Sequence, residues 1–164
     1  MFGLRRRPRL GPILGLLLLL ALSAFARTSS AQHGEQSAAA DTLFRQAVAL
    51  AKQKKFAEAV EKFQASYALD PARGTLQGLA LAEEKLGRVA SAYGHYRELV
   101  ELSHEARDKA REKAAKKRLD ELEPRVPHVS VALPVAKDGA QVSLDGAVLP
   151  KGALATPLPA DPGE

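Results

Sequence analysis

Histidines and a pair of adjacent glutamates are the side chains of this 164-residue sequence best suited to chemistry. The histidines are His33, His95, His104 and His128. His95 and His104 could meet across a helix junction, but a metal site needs a third ligand in defined geometry, and the sequence offers none. Glu83 and Glu84 do not converge on one substrate, because adjacent helical residues point about 100° apart. We therefore predict no catalytic residue and no metal ligand, and we interpret the histidines as surface residues.

Motifs of known catalytic classes are also missing from the sequence. It has no H-E-x-x-H segment, no phosphate-binding glycine loop and no nucleophile elbow. It has no cysteine, so neither disulfides nor thiol chemistry is available. We predict a non-enzymatic protein without a cofactor, whose stability comes from packing.

The N-terminal residues have the three parts of a secretory signal peptide. Four of the formal net charges of +5 come from Arg5, Arg6, Arg7 and Arg9. An apolar run from Gly11 to Ala26 follows and ends in an A-x-A site. We predict a signal peptide at residues 1–26, with a second candidate cleavage site after Ala31, and a periplasmic or envelope-associated mature chain. Because the apolar run is shorter than the roughly 20 residues of a spanning helix, we expect no membrane span after cleavage.

The mature chain would be nearly neutral, which argues against a nucleic-acid partner. Its composition, with 46% hydrophobic and 26% charged residues, is that of a globular protein with one domain or two small ones. We assign residues 27–36 to a disordered linker, 37–123 to a helical domain and 124–164 to a β segment.

Two helical segments match each other when the chain is offset by 33 residues. The matching pairs are Leu43 with Leu76, Ala47 with Ala80, Ala59 with Ala92, and Phe63 with Tyr96. In each segment apolar residues recur with helical spacing along a first helix and, after a short turn, along a second. The small alanine lets two helices approach closely, and the aromatic residue four positions later fills the space beside it. We predict two successive helical hairpins.

This period and residue order resemble the tetratricopeptide repeat (TPR). The residues that carry the resemblance are Ala59, Phe63 and Pro71 in the first unit, and Leu79, Ala80, Gly87, Ala92 and Tyr96 in the second. Glu83 departs from the pattern, since the family prefers a large aromatic or aliphatic residue there. The first unit also lacks the glycine of the turn and has Gln53-Lys54 instead.

The resemblance implies a groove, formed by the first helix of each hairpin, that binds a protein or peptide partner. Its lining residues would be Phe44, Val48, Lys52, Gln77, Leu81, Glu84 and Lys85. Core packing is the alternative for Phe44 and Val48, which also fit a widened buried stripe. A groove that mixes apolar and charged residues favours a short amphipathic ligand.

A cap is needed because two repeats are fewer than the three or so that make such a stack stable. The segment from His104 to Glu123 has a thin apolar stripe among seven basic and six acidic residues. We predict that it forms a long charged capping helix with Ser103 as its N-cap, ended by Pro124 and Pro127. Its balanced charges favour a solvated helix, and partner binding or a coiled coil is the alternative.

Beyond Val126 the apolar residues alternate at period two, which predicts strands. The alternating positions are Val129, Val131 and Leu133, then Val142 and Leu144. We expect these two strands to be joined through Lys137-Asp138-Gly139, with a third extended piece after Asp145-Gly146.

The β segment resembles the PEGA domain, a small β module of exported bacterial proteins. The matching residues are Gly139-Ala140, Val142, Leu144, Asp145-Gly146, Thr156-Pro157 and Pro162-Gly163. Lys137-Asp138 replace the Pro-Glu of the name motif. Because such a module normally continues past its Pro-Gly turn, we expect an incomplete β module and interpret the sequence as a fragment.

The predicted fold class is thus mostly α, with two TPR-like hairpins, a charged capping helix and a short incomplete β module. This combination resembles exported proteins of the kind found in myxobacteria. We predict a protein-interaction module, a scaffold or adaptor, acting at the cell envelope. The alternative is binding of envelope polysaccharide or cell wall through the β module, with the helical part as a spacer.

Overall fold

The computed structural model of the chain describes residues 34–131, 141–144, 146–150, 152 and 156–162. The predicted signal peptide and both candidate cleavage sites lie outside these residues, as do His33 and Lys137-Asp138-Gly139. The described part is mostly α-helical, which confirms the predicted fold class. Its helices are α1 (34–52), α2 (Phe56–Leu69), α3 (Arg73–Leu86), α4 (Val89–Glu105) and α5 (Lys109–Leu122). A 3₁₀ turn, Glu123–Arg125, follows α5.

Successive helices pack against one another in chain order, α2 on α3, α3 on α4 and α4 on α5. Turns of only two or three residues join these pairs, so each helix must fold back beside its predecessor. The described part of α1 already includes residues 34–36, so the last three residues of the predicted linker are helical. The helical part is a continuous stack in which α3 has helices on both sides.

Two buried clusters form the core, and α3 contributes to both. The first cluster joins α1, α2 and α3 and consists of Ala47, Ala59, Val60, Phe63, Leu79 and Ala82. The second joins α3 to α4 and α5 and consists of Leu76, Ala80, Val89, Ala90, Ala92, Tyr96, Leu99, Ala115, Leu122 and Val126. Ala59 and Ala92 are fully buried, so each has a neighbouring helix close against its methyl group. Of the other repeat-motif residues, Pro71 and Gly87 are exposed in turns.

A residue with left-handed backbone conformation lies in three of the turns. Gly87 ends α3 with φ 88°, a conformation that glycine adopts without a steric penalty. Lys54 after α1 and Arg107 after α4 have φ 62° and 57°, where a residue with a Cβ is strained by about 1 kcal/mol. The Gln53-Lys54 turn therefore reproduces the geometry of the glycine turn with a less suitable residue.

The start of α5 differs from the prediction. Ser103 is not an N-cap but lies fully buried in the last turn of α4, which continues to Glu105. Arg107 then ends α4, because its left-handed conformation lets the Asp108 amide donate back to the Ser103 carbonyl at 2.9 Å. Asp108 is the N-cap of α5, and its carboxylate accepts from the Arg111 amide at 3.1 Å. The capping helix is therefore shorter than the segment 104–123.

The strands form two small antiparallel pairs. Their bounds are His128–Val129 (β1), Val142–Leu144 (β2), Ala147–Leu149 (β3) and Leu158–Pro159 (β4). β2 and β3 form a hairpin around Gly146, which has φ 81°, so the third extended piece is present. β1 pairs with β4, and the segment predicted to join the first two strands lies outside the described residues. The two residues that follow β4 also bond to the helical part and its extension, since the Ala160 amide donates to the Pro127 carbonyl and Asp161 accepts from the Ala90 amide.

Candidate interaction surface

The α1 part of the predicted groove is shared between core and surface. Phe44 and Val48 are half-buried and pack against the first core cluster. The ring centroid of Phe44 lies 5.8 Å from that of Phe63 in an edge-to-face arrangement, which favours this packing. Each of the two residues keeps part of its side chain at the surface. Lys52 is exposed in the last turn of α1.

The α3 part of the groove contains a large exposed apolar residue. Leu81 is 45% exposed, while its chain neighbours Ala80 and Ala82 are buried in opposite core clusters. Because the core occupies both flanks of α3, the side chain between them must face outward. Gln77 and Lys85, one turn before and after Leu81, are also exposed. An apolar side chain flanked by polar ones is suited to contact an amphipathic partner.

Helix α5 extends this surface through two arginines that sequence reasoning missed. Arg111 Nε donates to Gln77 Oε1 at 3.1 Å, and Arg118 Nη2 donates to both carboxylate oxygens of Glu84 at 2.6 and 2.8 Å. Both bonds join residues 34 positions apart, the usual length of a TPR unit and one more than the offset between the first two hairpins. By this spacing α5 occupies the place of the first helix of a third unit. An offset of 34 residues, applied to Gln77 and Glu84, would have found both arginines in the sequence, whereas the offset of 33 falls on Ala110 and Lys117.

Glu84 is therefore the centre of a polar cluster rather than a free acidic group. Its carboxylate accepts from Arg118, and the Tyr96 hydroxyl lies 3.4 Å from its Oε2. Burial raises the pKa of Tyr96, and Glu84 adds to this rise while Arg118 opposes it. Arg118 also donates to Glu121 on its own helix at 2.7 Å. The predicted groove residues Gln77 and Glu84 thus tie α3 to α5 at the edge of the surface.

Buried between α3 and α4 is the carboxylate of Glu83, at the position where the repeat pattern favours an apolar residue. Glu83 is 1% exposed, and its Oε2 lies 2.6 Å from Nδ1 of His95. This hydrogen bond is the main reason why the pKa of His95 is raised, although partial burial acts in the opposite direction. Interpreting His95 as an ordinary surface histidine is therefore wrong.

The other chemically versatile residues are separated from this pair. His104 is exposed and bonds to Glu112 at 3.2 Å, so the two histidines bind different carboxylates. His128 is exposed in β1. Glu83 and Glu84 bond to His95 and Arg118 on two different helices, in agreement with their predicted divergence. Among the residues that the structure describes, no group of three or more acidic or histidine side chains is arranged to hold a metal ion.

A concavity of about 350 Å³ lies at the N-terminal end of α1 and α3. Phe44 lines it together with Asp41 and Asp70. Both carboxylates have partners, since Asp41 pairs with Arg45 and Asp70 accepts from the Ser37 hydroxyl at 2.9 Å. The concavity is thus an opening beside the Phe44 end of the surface.

Comparison with known proteins identifies the first hairpin. Residues 40–73 match the family model of the tetratricopeptide repeat, a span that covers most of α1, all of α2 and the first residue of α3. No curated protein matches the chain. Within the described residues, no helix has the length and apolar character to cross a membrane. TPR repeats are typically non-catalytic motifs for protein interaction, and the match of this one repeat together with the helical stack supports a TPR-like helical part.

Proposed function

We propose that this chain is an exported, non-enzymatic scaffold or adaptor of the cell envelope, and that it binds a protein partner through the surface formed by α1, α3 and α5. The TPR match supports the interaction function. The residues at positions 1–26 support export, because they have the order of a signal peptide.

The observation that carries the binding proposal is the exposure of Leu81 between the half-buried side chains of α1 and the arginines of α5. Phe44 and Val48 add apolar surface on one side, and Arg111 and Arg118 add cations on the other. A partner with one apolar anchor and flanking polar groups matches this arrangement. Burial of Leu81 and Phe44 in the complex would supply affinity, and the polar groups would supply orientation.

A crosslinking pull-down from an envelope fraction tests this function. A photoreactive residue at Gln77, next to Leu81, should crosslink a discrete protein, and Leu81→Glu should reduce its yield at least tenfold. Leu69→Glu is the matched control, since Leu69 is 40% exposed on α2, outside this surface. Circular dichroism establishes that both variants keep their helical content. Equal yields from the two folded variants would remove the support for this surface.

A second experiment with the same protein variants distinguishes protein binding from the polysaccharide alternative. Co-sedimentation with isolated peptidoglycan should be absent from a chain whose partner is a protein. Sedimentation that survives Leu81→Glu and resists protease treatment of the envelope would favour the polysaccharide function.

A further inference from the structure

The N-terminus of α4 is capped by a residue from the opposite end of the chain. Arg88, which precedes α4, has no side-chain cap hydrogen bond, since its guanidinium cannot accept one. Asp161 takes this role, because its carboxylate accepts from the amides of Ala90 at 2.6 Å and Ser91 at 3.0 Å. The Ser91 hydroxyl also donates to it at 2.5 Å. These amides are the second and third of the helix, which are the ones that a local N-cap residue normally satisfies.

Within the described residues, few other contacts hold the segment that carries Asp161. Leu158 and Pro159 make the two-residue pairing of β4 with β1. The Ala160 amide donates to the Pro127 carbonyl at 3.1 Å, and the Ala160 side chain is 8% exposed. All these contacts lie within four consecutive residues, and only one of the four side chains is buried.

We propose that residues 158–161 form a releasable latch, which in its closed state caps α4 and in its open state leaves the first turn of α4 uncapped. The latch opens as a unit because its carboxylate, its buried methyl group and its strand pairing are adjacent in the chain. Leu76 and Leu99 are buried in the cluster formed by α3, α4 and α5. This central packing can therefore stay intact when the latch opens. Segments with so little buried apolar surface open at lower free energy than the whole protein.

Opening of the latch has a consequence for the helical stack. Val89 and Ala90, in the first turn of α4, belong to the second core cluster together with Val126, which precedes β1. Without the cap, this turn loses three hydrogen bonds to a charged group and loosens the edge of that cluster. A partner that holds residues 158–161 would therefore change the order of the second hairpin, even without touching α3.

Hydrogen exchange of the full chain, followed residue by residue by NMR under native conditions, tests the latch. In Asp161→Ala the amides of Ala90, Ser91 and Ala160 should exchange about tenfold to a hundredfold faster, the range expected for loss of hydrogen bonds to a charged group. The amides of Leu76 and Leu99 should keep their wild-type rates. Asp120→Ala is the matched control, because Asp120 is exposed on α5 and loses the same charge.

Two results would overturn the latch. Unchanged exchange at Ala90 and Ser91 in Asp161→Ala would mean that the carboxylate does not cap α4. Equal acceleration at Leu76 and Leu99 would mean that residues 158–161 open only with the whole molecule. Ser91→Ala removes one of the three bonds and keeps the carboxylate, so it should accelerate the same three amides by a smaller factor.

Discussion

The carboxylate of Glu83 lies 2.6 Å from Nδ1 of His95, and it is almost completely removed from solvent between α3 and α4. A buried charge is stable only when it is paired or hydrogen-bonded, so this contact satisfies an acidic group in an apolar position. Glu98 lies on the same helix as His95 and also raises the pKa of the histidine. The pair therefore links the packing of the second hairpin to the protonation of one imidazole.

Stability should fall as pH rises through the titration of His95. Folding raises the pKa of His95 above its ordinary value of about 6.5, so the folded protein binds the proton more tightly than the unfolded chain does. This contribution is complete below about pH 6.5 and is lost as the pH passes the higher folded pKa. Urea unfolding of the wild type between pH 5.5 and 8.5 should show the loss, and His95→Gln should show a smaller slope. Identical pH profiles for the two proteins would contradict the assignment.

Loss of one member of the Glu83–His95 pair should cost more stability than replacement of both members by apolar residues. His95→Leu leaves the Glu83 carboxylate buried without its partner and should cost about 3–5 kcal/mol in the free energy of unfolding. The double variant Glu83→Leu/His95→Leu should recover most of this loss, since apolar residues of similar volume often replace a buried ion pair without penalty. Denaturant unfolding of the two variants and the wild type gives the comparison. A double variant as unstable as His95→Leu would show that the lost packing of the imidazole, and not the unpaired charge of Glu83, sets the cost.

Sequence patterns predicted the parts of the fold that depend on local spacing. Ala59 and Phe63 are four positions apart on one helical face, and both are buried as such spacing requires. Patterns of this kind identify the buried face but not the partner of a polar side chain on it, so the contact of Glu83 with His95 was not predicted. The cap supplied by Asp161 could not be predicted from local patterns for a different reason, because it joins residues 70 positions apart.

The start of α5 and the candidate surface show the same limit. Ser103 is a good N-cap residue by type. However, α4 ends just before Arg107, which has a left-handed conformation that arginine rarely adopts, and α5 begins after Asp108. Gln77 and Glu84 were predicted at the surface from the repeat, whereas their contacts with α5 depend on how α5 packs. PEGA-like identity, export and the role at the cell envelope stay predictions.

Glycine should stabilise the two turns that contain a cation in left-handed conformation. Lys54→Gly and Arg107→Gly remove the strain at φ 62° and 57°, and part of the gain is offset by the greater flexibility of glycine in the unfolded chain. We expect an increase of about 0.5–1 kcal/mol in the free energy of unfolding for each change. Urea unfolding midpoints at constant slope measure it. Gly87→Ala is the converse control and should destabilise, since its φ is 88°.

Gly78 and Gly94 should respond in opposite directions to substitution by alanine, although both lie inside helices. A Cβ on Gly78 would come within 2.6 Å of Cε1 of Phe63, whose ring is buried against Phe44, so the ring has to shift. Overpacking of this kind costs about 1–3 kcal/mol, which exceeds the gain of about 1 kcal/mol in helix propensity. A Cβ on Gly94 meets nothing within 4 Å, so Gly94→Ala should stabilise by about 0.5–1 kcal/mol. Thermal and urea unfolding of the two variants measure the difference, and stabilisation by Gly78→Ala would mean that Phe63 has room to move.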